Sequence, residues 1–473
     1  MHRTILCLTV ILMWQSLTGC AKVGPDYLTP DPVAPEAWQA PLDRGLSLEP
    51  SEQQVLAAWW TLLKDPLLNS FIQEAIAGNL DLEQARARLL QARADREISS
   101  AGLFPNLDVS GSVIKSRSSG DRGNGTEATS YSAGFDAGWE LDLFGGKRRS
   151  VEAAQARLEA SREDLRDVLV SLLAEVALNY VDVRTFQARL RIAGDNLASQ
   201  QETFELIEAR YQSGLANELA LQQARYLAAG TRAQLPTLRT SLFSAANRLA
   251  VLLGRTPGSL TDQLRDMVPL SALPLSVAVG IPAEALQRRP DIRRAERLLA
   301  AQTAQIGVAT ADLYPSFRLS GSIGLEALSA GRLFNSGSGS YSFGPSFSWA
   351  VFDAGAIAAN IRLQSSLQQE ALAGYKATVL SALEEVENAL VAYAEEQERH
   401  EALKESAEAA GLASTLAEIQ YQAGLINFTE VLDARRSLLS FQDQLAESAA
   451  TMTGNLIRLY KALGGGWTSF LPE

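Results

Sequence analysis

The chain has 473 residues, 47% hydrophobic and 20% charged, and a formal net charge of −12. This is an ordinary balance for a folded chain long enough to bury a core, and the negative charge without a basic stripe excludes nucleic acid as a partner. Of the two cysteines, Cys7 leaves with an N-terminal signal, so no internal disulfide is expected and burial and assembly must hold the mature chain together.

In chain order, His2 and Arg3 precede the apolar run Ile5 to Trp14, too short to span a bilayer and flanked as a cleaved signal is, which assigns residues 1–19 to a signal peptide. The segment ends Leu17-Thr18-Gly19-Cys20, which resembles a bacterial lipobox; that resemblance makes Cys20 the lipid-modified first residue of the mature protein. Several acyl chains on one residue form a firm anchor. Residues 20–58, rich in proline from Pro25 to Pro50, are expected to form an extended tether.

Ordered structure is expected from Trp59-Trp60, in a first structural repeat over 59–255 with helices at about 66–101 and 146–253. Pro105 stops the first of these, and the hydrophobic period falls to two. Leu107, Val109 and Val113 alternate with Asp108, Ser110 and Ser112, and Tyr131, Phe135, Trp139 and Leu141 alternate with Ser132, Asp136, Glu140 and Asp142. Strands follow at about 105–117 and 130–143, and in a second repeat at about 315–326 and 340–352. Their aromatic ends, small polar inner faces and lengths suit transmembrane β-strands. Four strands cannot close a barrel, which needs about eight, and open edges are not tolerated in lipid. A single such hairpin could also sit on a soluble core; if the strands enter the outer membrane, several chains must pool them into one barrel.

From Gly146 to about Gln212 runs one proline-free amphipathic helix, with Leu169, Val176, Val183, Leu190, Leu197, Phe204 and Tyr211 every seventh residue. At about 1.5 Å per residue it would be on the order of 100 Å long. A shorter helix containing Pro236 returns, which predicts a kink. Between the two lies Tyr211-Gln212-Ser213-Gly214-Leu215-Ala216-Asn217, repeated as Tyr421-Gln422-Ala423-Gly424-Leu425-Ile426-Asn427. Adding 210 to the first set of numbers gives the second, and the same shift takes Leu103-Phe104-Pro105 to Leu313-Tyr314-Pro315 and Trp139 to Trp349, so the chain is an internal duplication. The glycines supply the left-handed residue that ends a helix before the chain reverses. A linker is expected over 256–281, the second repeat over 282–464 with helices at about 282–311 and 356–463, and a C-terminal tail over 465–473.

Catalytic constellations are missing. His400 stands alone after the signal is lost, no zinc-protease spacing, nucleophile elbow or phosphate loop occurs, and neither a catalytic residue, a metal site nor a cofactor is expected. One carboxylate pair stands out: Glu430 and Asp433 lie three apart just after Gly424, where the first repeat has Ala220 and Gln223. Favourable charge at a helix N-terminus, worth about 0.3–1 kcal/mol, is one account, but it does not require acid at one turn and not the other.

Trp59-Trp60, Asp65-Pro66-Leu67, Asn79-Leu80-Asp81-Leu82, Trp139-Glu140-Leu141-Asp142-Leu143-Phe144-Gly145, Arg289-Pro290-Asp291-Ile292-Arg293 and Leu313-Tyr314-Pro315 together resemble the TolC/OprM family of outer-membrane efflux proteins, in its lipoprotein branch serving resistance-nodulation-division pumps. The resemblance covers nearly all of the mature chain. It implies a homotrimer of mixed α and β structure, with four strands per chain in a shared twelve-stranded outer-membrane barrel continuous with a periplasmic coiled-coil α-helical barrel. It implies that the Gly214 and Gly424 turns, with Tyr211 and Tyr421, meet a periplasmic adaptor protein, and that Glu430 and Asp433 form acidic gate rings. Arg436 corresponds to an arginine that helps tie the closed tip, and Thr429 stands where relatives have a bulky aliphatic constriction. The implied function is a passive exit duct for small molecules from periplasm to outside, opened by adaptor and inner-membrane pump. A type I protein-secretion channel, a non-conducting structural lipoprotein and an enzyme acting through His400 are the alternatives.

Overall fold

The computed structural model describes residues 22–30, 34–49, 53–121, 125–269 and 277–467. The expected signal, Cys20 and residues 468–473 of the expected tail lie outside them. In chain order the elements are β1 (Leu46–Ser47), α1 (Gln53–Ala57), a 3-10 turn (Trp59–Leu63), α2 (Pro66–Gly78), α3 (Leu80–Ala101), β2 (Asn106–Arg117), β3 (Glu127–Leu141), α4 (Gly146–Gln212), α5 (Glu218–Leu252), β4 (Val277–Ala278), α6 (Pro282–Arg288), α7 (Pro290–Ala311), β5 (Ser316–Ala327), a 3-10 turn (Ala330–Arg332), β6 (Gly339–Ser348), α8 (Ala356–Gln422) and α9 (Phe428–Ala462). The shift of 210 is written into the elements themselves. It carries α3 onto α7, β2 onto β5, α4 onto α8 and α5 onto α9, each pair equal in length, with 67 residues in α4 and in α8. Pro236 sits inside α5 without ending it. No helix among the described residues is long and apolar enough to cross a membrane.

The chain divides into two compact units. The first comprises Met1–Asp31, Arg88–Arg162 and Arg294–Lys376 and holds the large sheet. Its strands are antiparallel in the order β2-β3-β5-β6, so β2 and β6 are edges. The register puts Val109, Phe135, Ile323 and Tyr341 in one row across all four strands, and Asp108, Asp136, Ser322 and Ser342 in another. Every residue of the first row is large, apolar or aromatic, and exposed: 76%, 50%, 65% and 80%. The polar rows pair among themselves, Ser110 Oγ donating to Asp136 (2.6 Å) and the Ser112–Ser132 and Ser322–Ser342 hydroxyls meeting at 2.8 and 2.9 Å. The sheet therefore buries neither face, so its apolar side is as open as its polar one. At the strand ends the duplication recurs, Trp139 Nε1 donating to the Leu103 carbonyl and Trp349 Nε1 to that of Leu313 (2.9 and 3.0 Å).

The same unit holds the start of the described chain. Arg149, 1% exposed, donates from Nε to the Val23 carbonyl (3.0 Å) and from Nη2 to that of Gly24 (3.1 Å), while Tyr27 donates to Glu296 (3.0 Å). Gly24, at φ +84°, crosses Gly307 so closely that a Cβ on it would lie 2.4 Å from the Gly307 Cα. Lys22 pairs with Glu152 at 3.0 Å.

The second unit comprises Pro32–Ala87, Glu163–Arg293 and Ala377–Glu473. Asp65 starts α2 by accepting the Leu67 and Leu68 amides (2.9 and 3.2 Å) ahead of Pro66, a capped N-terminus with proline at the first helical position. Leu68, Phe71, Ile72 and Ala75 of that helix are buried, and Trp59 stacks on Tyr460 with centroids 6.0 Å apart. Here too the proline-rich stretch is anchored: β1 pairs in parallel with β4, Trp38 Nε1 donates to the Gly280 carbonyl (2.9 Å), and Glu387 accepts the Gln39 and Ala40 amides (2.7 and 2.8 Å). Within the expected extended tether, residues 22–30 and 34–49 are thus docked on the rest of the chain. Proline sets extended backbone, and extended backbone with open amides can also dock.

Along α4 the heptad row is unevenly buried. Leu169, Val176 and Val183 are buried, Leu190, Leu197 and Phe204 half-buried, and Tyr211 exposed.

Candidate functional site

Residues 213–217 join α4 to α5 and residues 423–427 join α8 to α9. Both turns close alike: the Leu215 amide donates to the Arg210 carbonyl (2.7 Å) and the Leu425 amide to that of Gln420 (2.9 Å), with Gly214 at φ +72° and Gly424 at φ +75°. Such a closure needs a left-handed residue. A Cβ on either glycine would meet nothing within 4 Å, so backbone conformation alone requires it.

Past the second turn, Phe428, Val431 and Leu432 are buried against Ile207 of α4 and Ala224 of α5. That apolar seat turns the opposite face of α9 outward, and Thr429, Glu430, Asp433 and Arg436 are all exposed on it. Arg436 Nη1 meets Asp433 Oδ1 at 3.2 Å with both side chains more than half exposed, a pairing worth at most about 0.5 kcal/mol. Its Nη2 donates to the Tyr226 hydroxyl of α5 at 3.2 Å, and since 226 plus 210 is 436, this bond joins one position of the two repeats.

The first turn differs in side chains. Asn217 Oδ1 accepts the Ala220 amide at 2.9 Å, whereas Asn427 makes no side-chain cap. Ala220, the counterpart of Glu430, packs on the apolar cluster. Tyr211 is 40% exposed, while Tyr421 lies against Phe428 (5.3 Å) and beneath the Arg210 guanidinium (5.3 Å). The four residues singled out on α9 are therefore brought onto one face, and the two tyrosines are set in different surroundings.

One arginine escaped the sequence reading. Arg435 Nη1 donates to the Ser199 carbonyl (3.0 Å) and to the Thr203 hydroxyl of α4, and Nη2 to Glu418 of α8 (3.0 Å), with its side chain 12% exposed. Its position, three and four residues after the buried Leu432 and Val431, was the available signal: an arginine on the apolar side of a helix must find partners.

An open face of carboxylates and hydroxyls at a helix start can repel its like and attract cations, but it holds no nucleophile or acid–base pair. Among the described residues no cluster of three or more His, Cys, Asp or Glu could hold a metal ion. Comparison with known proteins defines the class. The family model described as "Outer membrane efflux protein" matches residues 71–255 and 281–465, two segments again related by 210, and the chain belongs to that family of outer-membrane transport channels, which are not enzymes. Among relatives, the chain is 34% identical over 452 residues to Nodulation protein T of Rhizobium leguminosarum bv. trifolii, covering 95% of each chain. It is 31% identical over 451 residues to the cation efflux system protein CusC of Escherichia coli K12, covering 95% of this chain and 97% of that one. The solved outer-membrane channel OprN superposes with a TM-score of 0.88 at 38% identity, over 94% of this chain and all of the other.

Proposed function

We propose that three copies of this chain form a passive exit duct for small molecules, leading from the periplasm through the outer membrane. The four-stranded sheet with an exposed apolar face, a small polar face and two edge strands carries the proposal. In lipid, unpaired edges are ruled out. Three such sheets joined edge to edge give twelve strands, enough to close with the greasy face outward and the serine and aspartate rows inward. The helices then form the periplasmic part, with the Gly214 and Gly424 turns and their tyrosines meeting an adaptor protein, and a resistance-nodulation-division pump of the inner membrane supplies cargo and drive. Acyl chains on Cys20 add a second hold on the membrane.

In this assembly Glu430 and Asp433 converge as acidic rings around the axis, with Thr429 beside them as a small polar collar and Arg436 tying the closed tip to Tyr226. The names of similarly close relatives point to nodulation in one case and cation efflux in another, so overall identity does not select the cargo. The test is single-channel conductance of the lipidated protein in planar bilayers, for wild type and for Glu430→Ala with Asp433→Ala. Small wild-type currents, reduced by divalent cations and enlarged in the mutant, are expected. Unchanged conductance and block would remove the gate from this turn, and no current from either inserted protein would turn the proposal toward a structural spacer.

A further inference from the structure

A cavity of about 490 Å³ lies in the first unit where the strands give way to the helices, a volume within the range of small-molecule sites. It is lined from the end of α7 and the starts of α4 and α8, and Val308, Ala311 and Ile357, all half-buried, give it an apolar wall. Phe144 and Tyr314, also in the lining, stack with centroids 4.6 Å apart and leave Tyr314 41% exposed. Glu140, Ser316 and Ser348 of the lining lie by register on the same face as Asp136, Ser322 and Ser342, so in the proposed assembly the cavity opens on the lumen. Its charges are settled in pairs but for one. Lys147 meets Glu140 at 3.2 Å, and Asp142 accepts the Lys147 and Arg148 amides (3.0 and 2.9 Å) and the Arg148 Nε (3.0 Å). Asp312 makes no hydrogen bond or ion pair among the described residues.

We propose that this cavity is a transit site for amphipathic organic cations, whose charge meets Asp312 while an apolar or aromatic body lies along Val308, Ala311 and Ile357. The inference rests on the proposed duct and adds a binding site to it, away from the tip. The position of Asp312 is what calls for a ligand. It directly follows the last residue of α7, where the helix dipole is negative and a carboxylate is disfavoured. Loss of hydration, and then the nearby Glu140, raises its carboxyl above the ordinary value, with Lys147 opposing. A carboxylate so placed gains from any cation brought to it, and the same field turns an anion away. The arrangement occurs once per chain: Asp312 stands where the first repeat has Gly102, and Glu140 where the second has Ala350. With Lys147 answered by Glu140 and Arg148 by Asp142, selection falls on Asp312. A cation held there must also leave, and one charge contact beside one open apolar wall is a hold weak enough for a site along a conducting path.

The experiment is a fluorescence titration of ethidium, a flat aromatic cation, into the assembled lipidated protein in detergent, for wild type, Asp312→Asn, Ile357→Trp and Asp108→Asn, each first matched to wild type in helical content by circular dichroism. Asp312→Asn should weaken binding about tenfold, the loss of one charged contact. Ile357→Trp, which fills the cavity and keeps every carboxylate, should weaken it as well. Asp108→Asn removes an equal charge from the same polar face but outside the cavity, and should leave binding within about twofold of wild type. Equal losses in Asp312→Asn and Asp108→Asn would mean that the dye follows the charge of the lumen as a whole, and unchanged binding in Asp312→Asn and Ile357→Trp would remove the site; either overturns the proposal. Bilayer conductance of the same wild-type preparation keeps the two readings apart. Current without the selective loss of dye keeps the duct and removes the site, whereas selective loss without current keeps the cation site and removes the route through it. Should Asp312→Asn fail to assemble, Ile357→Trp against Asp108→Asn decides alone.

Discussion

The two helical tips are built on one backbone plan and finished with different side chains. Each has a left-handed glycine, the same closing amide bond and a following helix of 35 residues. The first tip then spends its cap on its own stability, Asn217 satisfying the Ala220 amide, and seats Ala220 in the apolar cluster. The second leaves Asn427 uncapped by its side chain and presents Glu430 and Asp433 to solvent. Duplication supplies a scaffold twice, and the divergence between copies shows where a scaffold was freed to do something else. The same contrast appears where the short helices meet the returning ones. Asn79 Nδ2 donates to the Leu252 carbonyl (2.9 Å), and its counterpart Arg289 donates from Nη1 to Ala462, the counterpart of Leu252, at 2.9 Å. Arg289 adds Asp291 and Glu385, each at 2.7 Å.

Levelling the tips should have the largest effect. Replacing Glu430 with alanine and Asp433 with glutamine, the residues of the first repeat, should raise single-channel conductance about as much as the double alanine change, because both remove the converging charge. Next in size is the helix junction. Arg289→Ala strands the partly buried Asp291 carboxylate and a carbonyl and should cost about 2–3 kcal/mol, whereas Asn79→Ala removes neutral bonds and should cost about 1–2 kcal/mol, both read from chemical unfolding midpoints. Smaller again, Asn217→Ala should cost about 1 kcal/mol and Asn427→Ala only a few tenths, since only the first side chain caps its helix. Equal losses at the two asparagines would erase the distinction between the turns.

The smallest effect concerns which repeat holds the N-terminal segment. Tyr27 binds Glu296, whereas the first-repeat counterpart of Glu296, Arg86, is committed to the Ile76 carbonyl. Burial, with the Glu296 carboxylate beside it, pushes the Tyr27 phenol up to about 12 from its usual 10.0. A raised phenol favours the protonated, docked form. Its contribution is therefore complete below pH 10 and fades as pH rises toward 12, which phenolate absorbance of wild type minus Tyr27→Phe would record. A difference titration centred at the ordinary value would mean that the segment is not held there.

Periodicity carried most of the architecture. A period of two over 131–141 and a seven-residue row from Leu169 onward mark strand and helix directly, because side-chain direction in each is local geometry. The turn glycines were legible for the same reason, and the asymmetric acids stood out by comparing one half of the chain with the other. What periodicity does not encode is the partner of an extended or charged group. Nothing local marks Gly24 for Gly307, or Arg149 for the carbonyls of residues 23 and 24, since those contacts are made across more than a hundred residues. Arg435 was hidden by its neighbour: beside Arg436 it looks like a second solvated charge, and only the packing of α4 and α8 around α9 separates a buried clamp from an exposed tie.

The two edge strands of the four-stranded sheet have a consequence for inheritance. A chain that must borrow its neighbours' strands to complete a wall cannot keep its faults to itself. Under the proposed assembly, a copy with sound strands and a defective tip is built into ducts alongside normal copies, and every such duct inherits the defect. Faulty tips should therefore behave as dominant alleles when co-expressed with the normal chain, while chains that lose their strands never enter a duct and should be recessive.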